Sequence, residues 1–543
     1  MAENHIYDHV YWYISELTSR VVANSGIPSD RHHIGKILLQ SFKDDPDFVA
    51  QIDGGTGESE TNSSMLRRSI QCAISLKNMG LKHGDVMVLM APNHLDLAVP
   101  FYAAMYLGVI IAPIDRTLKI GELEGTFNVY KPSIVFCQSE KTTDIHTALK
   151  TQNLKAHVVT FDSSNQGTCL ADLLKAKDKE IDNFKAEDFN AEESIVTILP
   201  TSGSTGFPKG AAITYKTWMI TGPHMWVRFT KFPSPTRMWL ILSPLQWLTA
   251  AVQFIISPFM KYTRLQTSNI FTEDHIRFLI NTYRPTASIL SSMILLHLLK
   301  SGDDGQCDLT CFDMILVGGS AVDTRKLELI KRTSPKTTVV NAYGMTELTT
   351  ICFQGDCPLN SPGKPSGIYQ HRLINLTTQE DIQEPNVNGE LWVKGPMFKE
   401  YYNNPKATEE AFKDGWLKTG DIFYRDENWN YFFVERLKLL LKYKHFQISP
   451  SEVEEVIRTH PSVLDVAVTG IPDPECGDLP VACVTLKPGC NPNAQEIKDL
   501  VQEKLSDAKQ LRGVIFLEKF PLTATMKINR KKLNEMIRDM KLN

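Results

Sequence analysis

The sequence lacks the markers of several large classes of protein. Its ten cysteines are scattered, with no Cys-x-x-Cys pair and no run of metal-ligand spacing. This pattern favours free, buried thiols in a reducing compartment over a disulfide framework or a zinc site. The net charge is −4 at pH 7 and no basic block is present, so a nucleic-acid partner is not expected.

Targeting and membrane segments are also lacking. The N-terminus, Met1-Ala2-Glu3-Asn4-His5, has no basic region followed by an apolar core, so no secretory signal is predicted. The longest apolar stretch, residues 240–260, is interrupted by serine, threonine, glutamine and proline, which indicates a buried strand and helix. The C-terminus, Lys541-Leu542-Asn543, differs from a Ser-Lys-Leu peroxisomal address. We expect an intracellular protein, cytoplasmic or peroxisomal, with no transmembrane segment and with its oligomeric state left open.

What is present is the pattern of an α/β protein. A chain of 543 residues is too long for one core, so more than one domain is expected. Apolar runs at 85–90, 108–113 and 131–137 alternate with helical periodicity such as that of residues 64–79. This alternation predicts parallel-sheet layers covered by helices. Further buried strands are predicted at 287–290, 314–317 and 337–340.

The pattern of apolar and polar residues changes toward the C-terminus. Short strands with polar turns begin near residue 389, and a lysine-rich segment follows at 435–445. The last hundred or so residues carry a compact α+β pattern. We therefore place a domain boundary at Glu435, which gives a large N-terminal domain at 1–435 and a small C-terminal domain at 436–543.

Residues 201–210, Thr-Ser-Gly-Ser-Thr-Gly-Phe-Pro-Lys-Gly, have the composition of a loop that grips a polyphosphate. Three glycines allow a tight backbone whose N–H groups point at an anion, and four hydroxyl side chains add short donors. Lys209 adds a mobile positive charge. The stretch is not a Walker A motif, and a plain Gly/Ser-rich surface loop is the alternative. The apolar run before it predicts a strand that is broken by Pro200.

Two other stretches carry reactive residue types near strand ends. In Tyr343-Gly344-Met345-Thr346-Glu347, the tyrosine suits base stacking, the threonine suits a phosphate and the carboxylate suits Mg²⁺. Ordinary core packing is the alternative for the tyrosine. Asp421, which follows Gly420 in a predicted turn, suits the two hydroxyls of a ribose, although Thr-Gly-Asp is also a common turn. A lone lysine such as Lys527 is ordinarily a solvated charge.

Together these stretches resemble the adenylate-forming superfamily, in the branch of firefly luciferases, 4-coumarate–CoA ligases and related acyl-CoA synthetases, with an insect-type likeness. The resemblance covers essentially the whole chain. The matching stretches, in the family's order, are 201–210, 343–347, 395–397 with 401–405, 415–421 and 435–445.

The resemblance implies a two-step reaction with ATP, Mg²⁺ and coenzyme A. A carboxylate attacks the α-phosphate to give an acyl-adenylate and pyrophosphate, and a thiol then displaces AMP. It also implies that the small C-terminal domain moves between the two steps about a hinge at Glu435, where relatives usually have aspartate.

The resemblance also assigns residue roles. The β- and γ-phosphates are oriented by Thr201, Ser202, Gly203, Ser204, Thr205, Gly206 and Lys209. Adenine is held by Gly318, Gly319, Ser320, Asn341, Ala342, Tyr343 and Gly344. Ribose is held by Asp421 and Arg436. The α-phosphate and Mg²⁺ are handled by Thr346 and Glu347, of which Glu347 is the metal ligand. Lys527 serves the first step and Lys442 the second.

The acyl pocket and the coenzyme A tunnel depart from the family pattern. The pocket is assigned to Arg228, Gln246, Trp247, Thr350 and Ile351. Gln246 and Trp247 replace two histidines of luciferases, which argues against light emission from firefly luciferin. His445 replaces a glycine beside the pantetheine tunnel, and Met526 replaces a glycine before the catalytic lysine.

Several functions remain open at this point. We favour an acyl-CoA synthetase acting on an apolar fatty or aryl acid, with fatty acids of medium to long chain as the first choice. The alternatives are an adenylate-forming enzyme with weak transfer to coenzyme A, a luciferase-type monooxygenase, and a nucleotide-binding relative without catalysis.

Overall fold

The computed structural model describes the chain over the following residues: 4–162, 167–201, 209–226, 237–291, 294–295, 298, 307–319, 324–355, 357–443, 446–473, 476–522 and 527–537. No helix within these ranges is long and apolar enough to cross a membrane. All ten cysteines are free.

The first sheet contains the two strands that flank the 201–210 stretch. Its strands, in spatial order, are Glu400–Tyr401, Lys209–Thr214, Ile195–Thr201, Ile110–Pro113, Val86–Met90, Ile134–Cys137, His157–Thr160 and Thr168–Cys169. The strands from Ile195–Thr201 onward are parallel, whereas the two before it pair antiparallel. Val86–Met90 is buried along its whole length, as expected for a strand covered on both faces.

The second sheet has the same parallel character. Its strands, in spatial order, are Thr338–Ala342, Met314–Gly318, Ala287–Ser291, Met238–Leu240, Thr263–Gln266, Val49–Asp53 and Ser59–Thr61. Neighbours are parallel except for the last pair. Gly318 and Ala342 therefore end side by side at the carboxyl edge, where ligands bind in open parallel sheets.

The helices cover these two sheets. The α-helices of this part are Asn4–Ser25, Ile34–Asp44, Asn62–Asn78, Ala98–Leu107, Ile120–Tyr130, Thr142–Thr151, Leu170–Leu173, Asp178–Asp182, Tyr215–His224, Leu248–Met260, Glu273–Tyr283 and Thr324–Thr333. Short 3₁₀ turns occur at Pro28–His32, Leu95–Leu97, Ser139–Lys141, Leu309–Cys311 and Thr346–Leu348. Thr61 caps the third helix by accepting a hydrogen bond from the Ser64 amide. Gly108 ends the fully buried Ala98–Leu107 helix in the left-handed conformation.

Antiparallel sheets complete the chain. The third sheet contains Gln370–Ile374, Gly389–Lys394, Trp416–Arg425, Phe412–Lys413 and Tyr431–Arg436, beside a short pair formed by Phe353–Gln354 and Lys364–Pro365 and the helix Pro405–Ala411. The fourth sheet contains Phe446–Ile448, Leu441–Tyr443, Gly477–Leu486, Val463–Asp473 and, parallel to its neighbour, Gly513–Phe516. Helices Pro450–Arg458, Ala494–Lys504 and Arg530–Ile537 accompany it, with 3₁₀ turns at Leu437–Leu439 and Asp507–Lys509.

The predicted fold class is confirmed: a large α/β region with parallel sheets is followed by a smaller α+β region. The boundary at Glu435 stays a prediction, and the strand Tyr431–Arg436 ends next to it. The apolar stretch 240–260 forms a strand end and the buried helix Leu248–Met260, as its interruptions indicated.

Two local predictions were wrong. Pro200 does not break the strand before the loop, because it lies within Ile195–Thr201 opposite Gly210. Asp421 does not lie in a turn but inside the strand Trp416–Arg425. Gly420, with φ of 69°, and a register shift after Ile422 give this strand the local irregularity that suggested a turn.

Candidate active site

The 201–210 stretch is closed at its base by a β-hairpin. Thr201 ends one strand, Lys209 begins the next, and the two residues lie opposite each other. The predicted phosphate-binding residues Ser202, Gly203, Ser204, Thr205 and Gly206 fall outside the described residues. The Lys209 ammonium lies 4.7 Å from the centroid of the Tyr401 ring. The hairpin thus fixes both ends of the loop and the starting point of its lysine.

The residues predicted to hold adenine lie at the carboxyl edge of the second sheet. Gly318 and Ala342 are paired there, and Asn341 precedes Ala342 on the same strand. A Cβ at Gly318 would lie 2.4 Å from the Ala342 carbonyl oxygen, so a side chain does not fit between these strands. Gly319 follows with φ of 87°, a conformation that favours glycine. Ser320 falls outside the described residues.

Tyr343 is fixed by its hydroxyl and by its ring. The hydroxyl donates a hydrogen bond of 2.6 Å to Asp421 Oδ2. The ring packs against Phe423, Phe353 and Phe433 at centroid distances of 4.8, 5.8 and 6.5 Å. Burial, and secondarily the Asp421 charge, raise the pKa of Tyr343 well above its usual range, so it stays a neutral donor. Tyr343 thereby links the residues predicted to hold adenine to the residue predicted to hold ribose.

Asp421 and Arg436 form the predicted ribose site. They lie opposite each other on paired strands, and Arg436 Nε is 3.2 Å from Asp421 Oδ1. Asp421 is buried, whereas the Arg436 side chain is half exposed. Burial raises the pKa of Asp421, and the Arg436 charge and the Tyr343 hydrogen bond oppose that rise. Within the described part of the chain, Oδ1 accepts no well-formed hydrogen bond, which leaves it available to a ligand hydroxyl.

Lys527 reaches this site from the other end of the chain. Its ammonium lies 3.9 Å from the point that a Cβ on Gly319 would occupy. The residue is exposed overall, but partial desolvation of its amine and then the Arg436 charge lower its pKa, while Asp421 acts in the opposite direction. The structure therefore brings a lysine with a lowered pKa to the strand ends that carry Gly319 and Asp421.

Glu347 occupies a separate buried position nearby. It lies in the 3₁₀ turn Thr346–Leu348, which also contains the predicted Thr346. Its Oε1 accepts a hydrogen bond of 2.7 Å from the Tyr401 hydroxyl. Burial raises the pKa of Glu347, and the Tyr401 hydrogen bond lowers it.

The donor set around Glu347 suits a magnesium ion shared with a substrate. Groups of three or more metal-ligating side chains are absent from the residues that the structure describes. Mg²⁺ is commonly bound by one or two carboxylates together with substrate phosphates, so a single buried carboxylate fits. When bound, such an ion would neutralise charge on phosphate oxygens.

A chain of hydrogen bonds connects the predicted hinge to the segment of the lysine. Glu435 Oε2 accepts hydrogen bonds from the Ser451 amide and hydroxyl at 3.0 and 2.7 Å, at the start of helix Pro450–Arg458. On the same helix, Glu454 Oε1 accepts a bond of 2.6 Å from Arg530. Arg530 begins the helix three residues after Lys527 and also donates to the Val468 carbonyl. This hydrogen-bonded chain anchors the segment of the lysine to the rest of the C-terminal region.

The structure describes four of the five residues predicted to form the acyl pocket. Gln246 is buried, and Trp247 precedes the helix Leu248–Met260. Ile351 bridges to Gly344, which brings the predicted pocket next to the residues predicted to hold adenine. Thr350 is buried, and its hydroxyl has no hydrogen-bond partner among the described residues. Arg228 falls outside them.

Among Lys442, His445 and Met526, the structure describes only Lys442. Lys442 lies in the strand Leu441–Tyr443 of the fourth sheet, opposite Gln447. His445 and Met526 fall outside the described residues. The roles of these residues, and those of the other site residues, stay predictions.

Sequence reasoning missed the partners that hold the site together. The motifs assign no role to Tyr401, which stands in one of them, nor to Glu454 and Arg530. Their contacts span 54 residues for Tyr401 with Glu347 and 76 for Arg530 with Glu454. The only sequence signal for them was their place in or near motifs already recognised.

Comparison with known proteins shows the family of this chain. A model of the AMP-binding enzyme family matches residues 38–402, and a model of the AMP-binding enzyme C-terminal domain matches residues 452–527. The chain belongs to the AMP-binding enzyme family. The predicted membership is thus confirmed.

The relatives of this AMP-binding enzyme are named for two kinds of activity. It is 30% identical over 514 residues to a luciferin 4-monooxygenase of Photuris pensylvanica, covering 92% of this chain and 93% of the relative. It is 28% identical over 498 residues to 4-coumarate–CoA ligase-like 9 of Arabidopsis thaliana, covering 90% and 87%. The fold matches the anthranilate CoA ligase AuaEII in complex with anthranoyl-AMP, with a TM-score of 0.83, 21% identity and coverage of 92% and 96%.

Proposed function

We propose that this AMP-binding enzyme is an ATP-dependent acyl-CoA synthetase that acts on an apolar carboxylic acid. The observation that carries the proposal is the approach of Lys527 to Gly319, beside the Asp421–Arg436 pair. A positive charge at this point suits the charge that develops when a carboxylate attacks the α-phosphate. The acyl-adenylate complex of the anthranilate CoA ligase and the CoA ligase relatives support this choice.

The first step is a substitution at phosphorus. The carboxylate oxygen forms a bond to the α-phosphorus while the bond to the pyrophosphate oxygen breaks, and pyrophosphate leaves. Asp421 and Tyr343 orient the nucleoside of ATP, and Lys209 binds its phosphates. Lys527 stabilises the negative charge on the reacting oxygens. Positioning and charge stabilisation supply most of the rate gain in such a step.

The second step is acyl transfer. The thiolate sulfur of coenzyme A attacks the acyl carbonyl carbon, the bond to the AMP oxygen breaks, and AMP leaves. Lys442 is proposed to act in this step.

The compartment of the protein, cytoplasmic or peroxisomal, remains a prediction.

The acid substrate is proposed to be fatty, of medium to long chain, with aryl acids as the alternative. Trp247, Leu248 and Ile351 give the proposed pocket apolar side chains, and buried Gln246 replaces a histidine of luciferases. These side chains give an apolar acid a large contact area, and they provide no charged partner for a substrate with a second charged group.

A panel of acids tests the proposal directly. Fatty acids of increasing length and aryl acids are incubated with ATP and Mg²⁺, with and without coenzyme A, and pyrophosphate, AMP and thioester are measured. We expect pyrophosphate with apolar acids, and thioester only when coenzyme A is present. Absence of pyrophosphate and AMP with every acid would contradict the proposal, and light with luciferin would favour the monooxygenase.

A second candidate is an adenylate-forming enzyme with weak transfer to coenzyme A, which is favoured by His445 at a position where relatives have glycine. The His445→Gly variant distinguishes the two. A thioester rate that rises while pyrophosphate release is unchanged supports the second candidate. A normal thioester rate that does not change in the variant excludes it.

The pH dependence of the first step gives a further prediction. Because desolvation and Arg436 lower the pKa of Lys527, its protonated form is lost at a lower pH than that of an ordinary lysine. Acyl-adenylate formation should therefore fall as pH rises through this lowered pKa. In Lys527→Arg the guanidinium stays charged, so the alkaline fall should move to higher pH. Pyrophosphate exchange measured from neutral to alkaline pH checks this, and an identical alkaline fall in Lys527→Arg would assign it to another group.

A further inference from the structure

We propose that Tyr401 is a positioning residue that holds Glu347 and Lys209 at the same time and keeps them from pairing with each other. The inference rests on the proposed function, since it concerns groups that would serve the phosphates of ATP. It adds a residue to which neither the motifs nor the family comparison assigns a role.

Tyr401 contacts the two charged groups with different parts of its side chain. Its hydroxyl donates a hydrogen bond of 2.7 Å to Glu347 Oε1. Its ring centroid lies 4.7 Å from the Lys209 ammonium, within the range of a cation–π interaction. Tyr401 is 8% exposed and Glu347 is buried, so the hydrogen bond forms in a largely water-free setting, whereas Lys209 is partly exposed.

The backbone around Tyr401 is fixed to both partners. The strand Glu400–Tyr401 pairs with the strand that begins at Lys209, and Tyr401 lies opposite Ala211. The Tyr402 amide donates to the Gly210 carbonyl at 2.8 Å. On the other side, the Phe398 amide donates to the Glu347 carbonyl, also at 2.8 Å. The segment 398–402 therefore joins the base of the loop to the turn that carries Glu347.

This arrangement has an electrostatic consequence. In a medium of low dielectric constant, a lysine and a glutamate that approach each other attract strongly. A direct ion pair would occupy the carboxylate and withdraw the ammonium, and neither would then serve a phosphate or a cation. The Tyr401 ring holds the ammonium by a weaker contact that a phosphate can replace.

The hydroxyl also fixes the position of the carboxylate. Its hydrogen bond to Glu347 Oε1 holds that oxygen in one orientation, and both residues are buried. Loss of the hydroxyl should therefore weaken binding of a divalent cation without altering the ring contact to Lys209. Loss of the whole ring should release Lys209 toward Glu347 as well.

Mn²⁺ binding measured by electron paramagnetic resonance tests the proposal without relying on turnover. In the presence of ATP and the absence of acid, Tyr401→Phe should weaken Mn²⁺ binding about 10- to 100-fold, the effect of losing one hydrogen bond to a charged group. Binding of ATP in the presence of a chelator should change little in this variant. Tyr402→Phe, which removes a hydroxyl from the next residue, is the matched control and should bind Mn²⁺ as the parent does.

Tyr401→Leu tests the separation of the two charges. It should weaken Mn²⁺ binding more than Tyr401→Phe, and it should also weaken ATP binding in chelator. Adding Lys209→Gln to Tyr401→Leu should recover part of the Mn²⁺ affinity, because the competing ammonium is gone. Recovery is not expected from a merely structural role of Tyr401.

Two results would overturn the proposal. One is Mn²⁺ affinity in Tyr401→Phe equal to that of Tyr402→Phe, with both variants folded as judged by circular dichroism. The other is a failure of Lys209→Gln to raise Mn²⁺ affinity in the Tyr401→Leu background. The acid panel is a separate test, so a negative panel with the expected Mn²⁺ shifts would reject the synthetase function and leave the role of Tyr401 intact.

Discussion

Replacing Lys527 by alanine should lower acyl-adenylate formation by about 10²- to 10³-fold, the typical cost of removing one preorganised donor to developing charge. The reason lies in its position: the ammonium lies beside Gly319 and is influenced by both Arg436 and Asp421. Water that enters in place of the ammonium would screen the charge less well. ATP–pyrophosphate exchange with a substrate acid measures this step.

The loss in Lys527→Ala should be confined to the first step. Thioester formation from a chemically prepared acyl-adenylate should fall much less, because the proposed lysine of that step is Lys442. Lys531→Ala is the control, since Lys531 is an exposed lysine four residues later on the helix Arg530–Ile537. Exchange rates that match in the two variants would remove Lys527 from the catalytic assignment.

Replacing Glu454 by alanine should destabilise the C-terminal region by about 3 kcal/mol, at the lower end of the cost of breaking a buried ion pair. Glu454 is buried and accepts hydrogen bonds from Arg530 at 2.6 Å and from the Val468 amide at 2.8 Å. Arg458 donates to its second oxygen. Arg530 keeps part of its exposure, which limits the penalty.

Hydrogen exchange followed by mass spectrometry is the suitable measurement. Tryptophan fluorescence would not report on the C-terminal region, because every tryptophan lies at or before Trp429. Peptides from the strand Val463–Asp473 should exchange about 100-fold faster in Glu454→Ala, as a loss of this size implies for sub-global opening. Glu455→Ala places the same substitution on an exposed position of the same helix. Equal exchange in the two variants would show that Glu454 contributes no special stability.

The same substitution should also slow the first step. Arg530 anchors the segment that follows Lys527, and Glu454 holds Arg530. We therefore expect Glu454→Ala to lower pyrophosphate exchange at temperatures where the protein remains folded. A mutation that affected stability alone would leave the rate per folded molecule unchanged.

Local sequence patterns predicted much of this fold. The apolar run at 314–317 forms the strand Met314–Gly318, and Ser449 caps the helix Pro450–Arg458 by accepting a hydrogen bond from the Glu452 amide. Alternation of helices and buried strands was enough to indicate parallel sheets. These features depend on residues close together in the chain, so their physical causes are present in any short window of sequence.

Other features depend on distant partners and could not be predicted in this way. Pro200 continues a strand because its partner Gly210 lies across a hairpin, which the strand-breaking tendency of proline did not indicate. Asp421 lies in a strand because Arg436 pairs with it. The Tyr401 contacts to Glu347 and Lys209 likewise join separate motifs. Motif recognition supplied the candidate site residues, whereas the contacts that orient them appear only in three dimensions.

The closed base of the hairpin has a consequence for protein engineering. Thr201 and Lys209 are held in register by the strands behind them, and Lys209–Thr214 is in turn paired with Glu400–Tyr401. A residue inserted or deleted between positions 201 and 209 must therefore be absorbed by the connecting segment alone. Libraries that vary the length of this segment would therefore leave the sheet, and with it the backbone position of Lys209, as a constant framework.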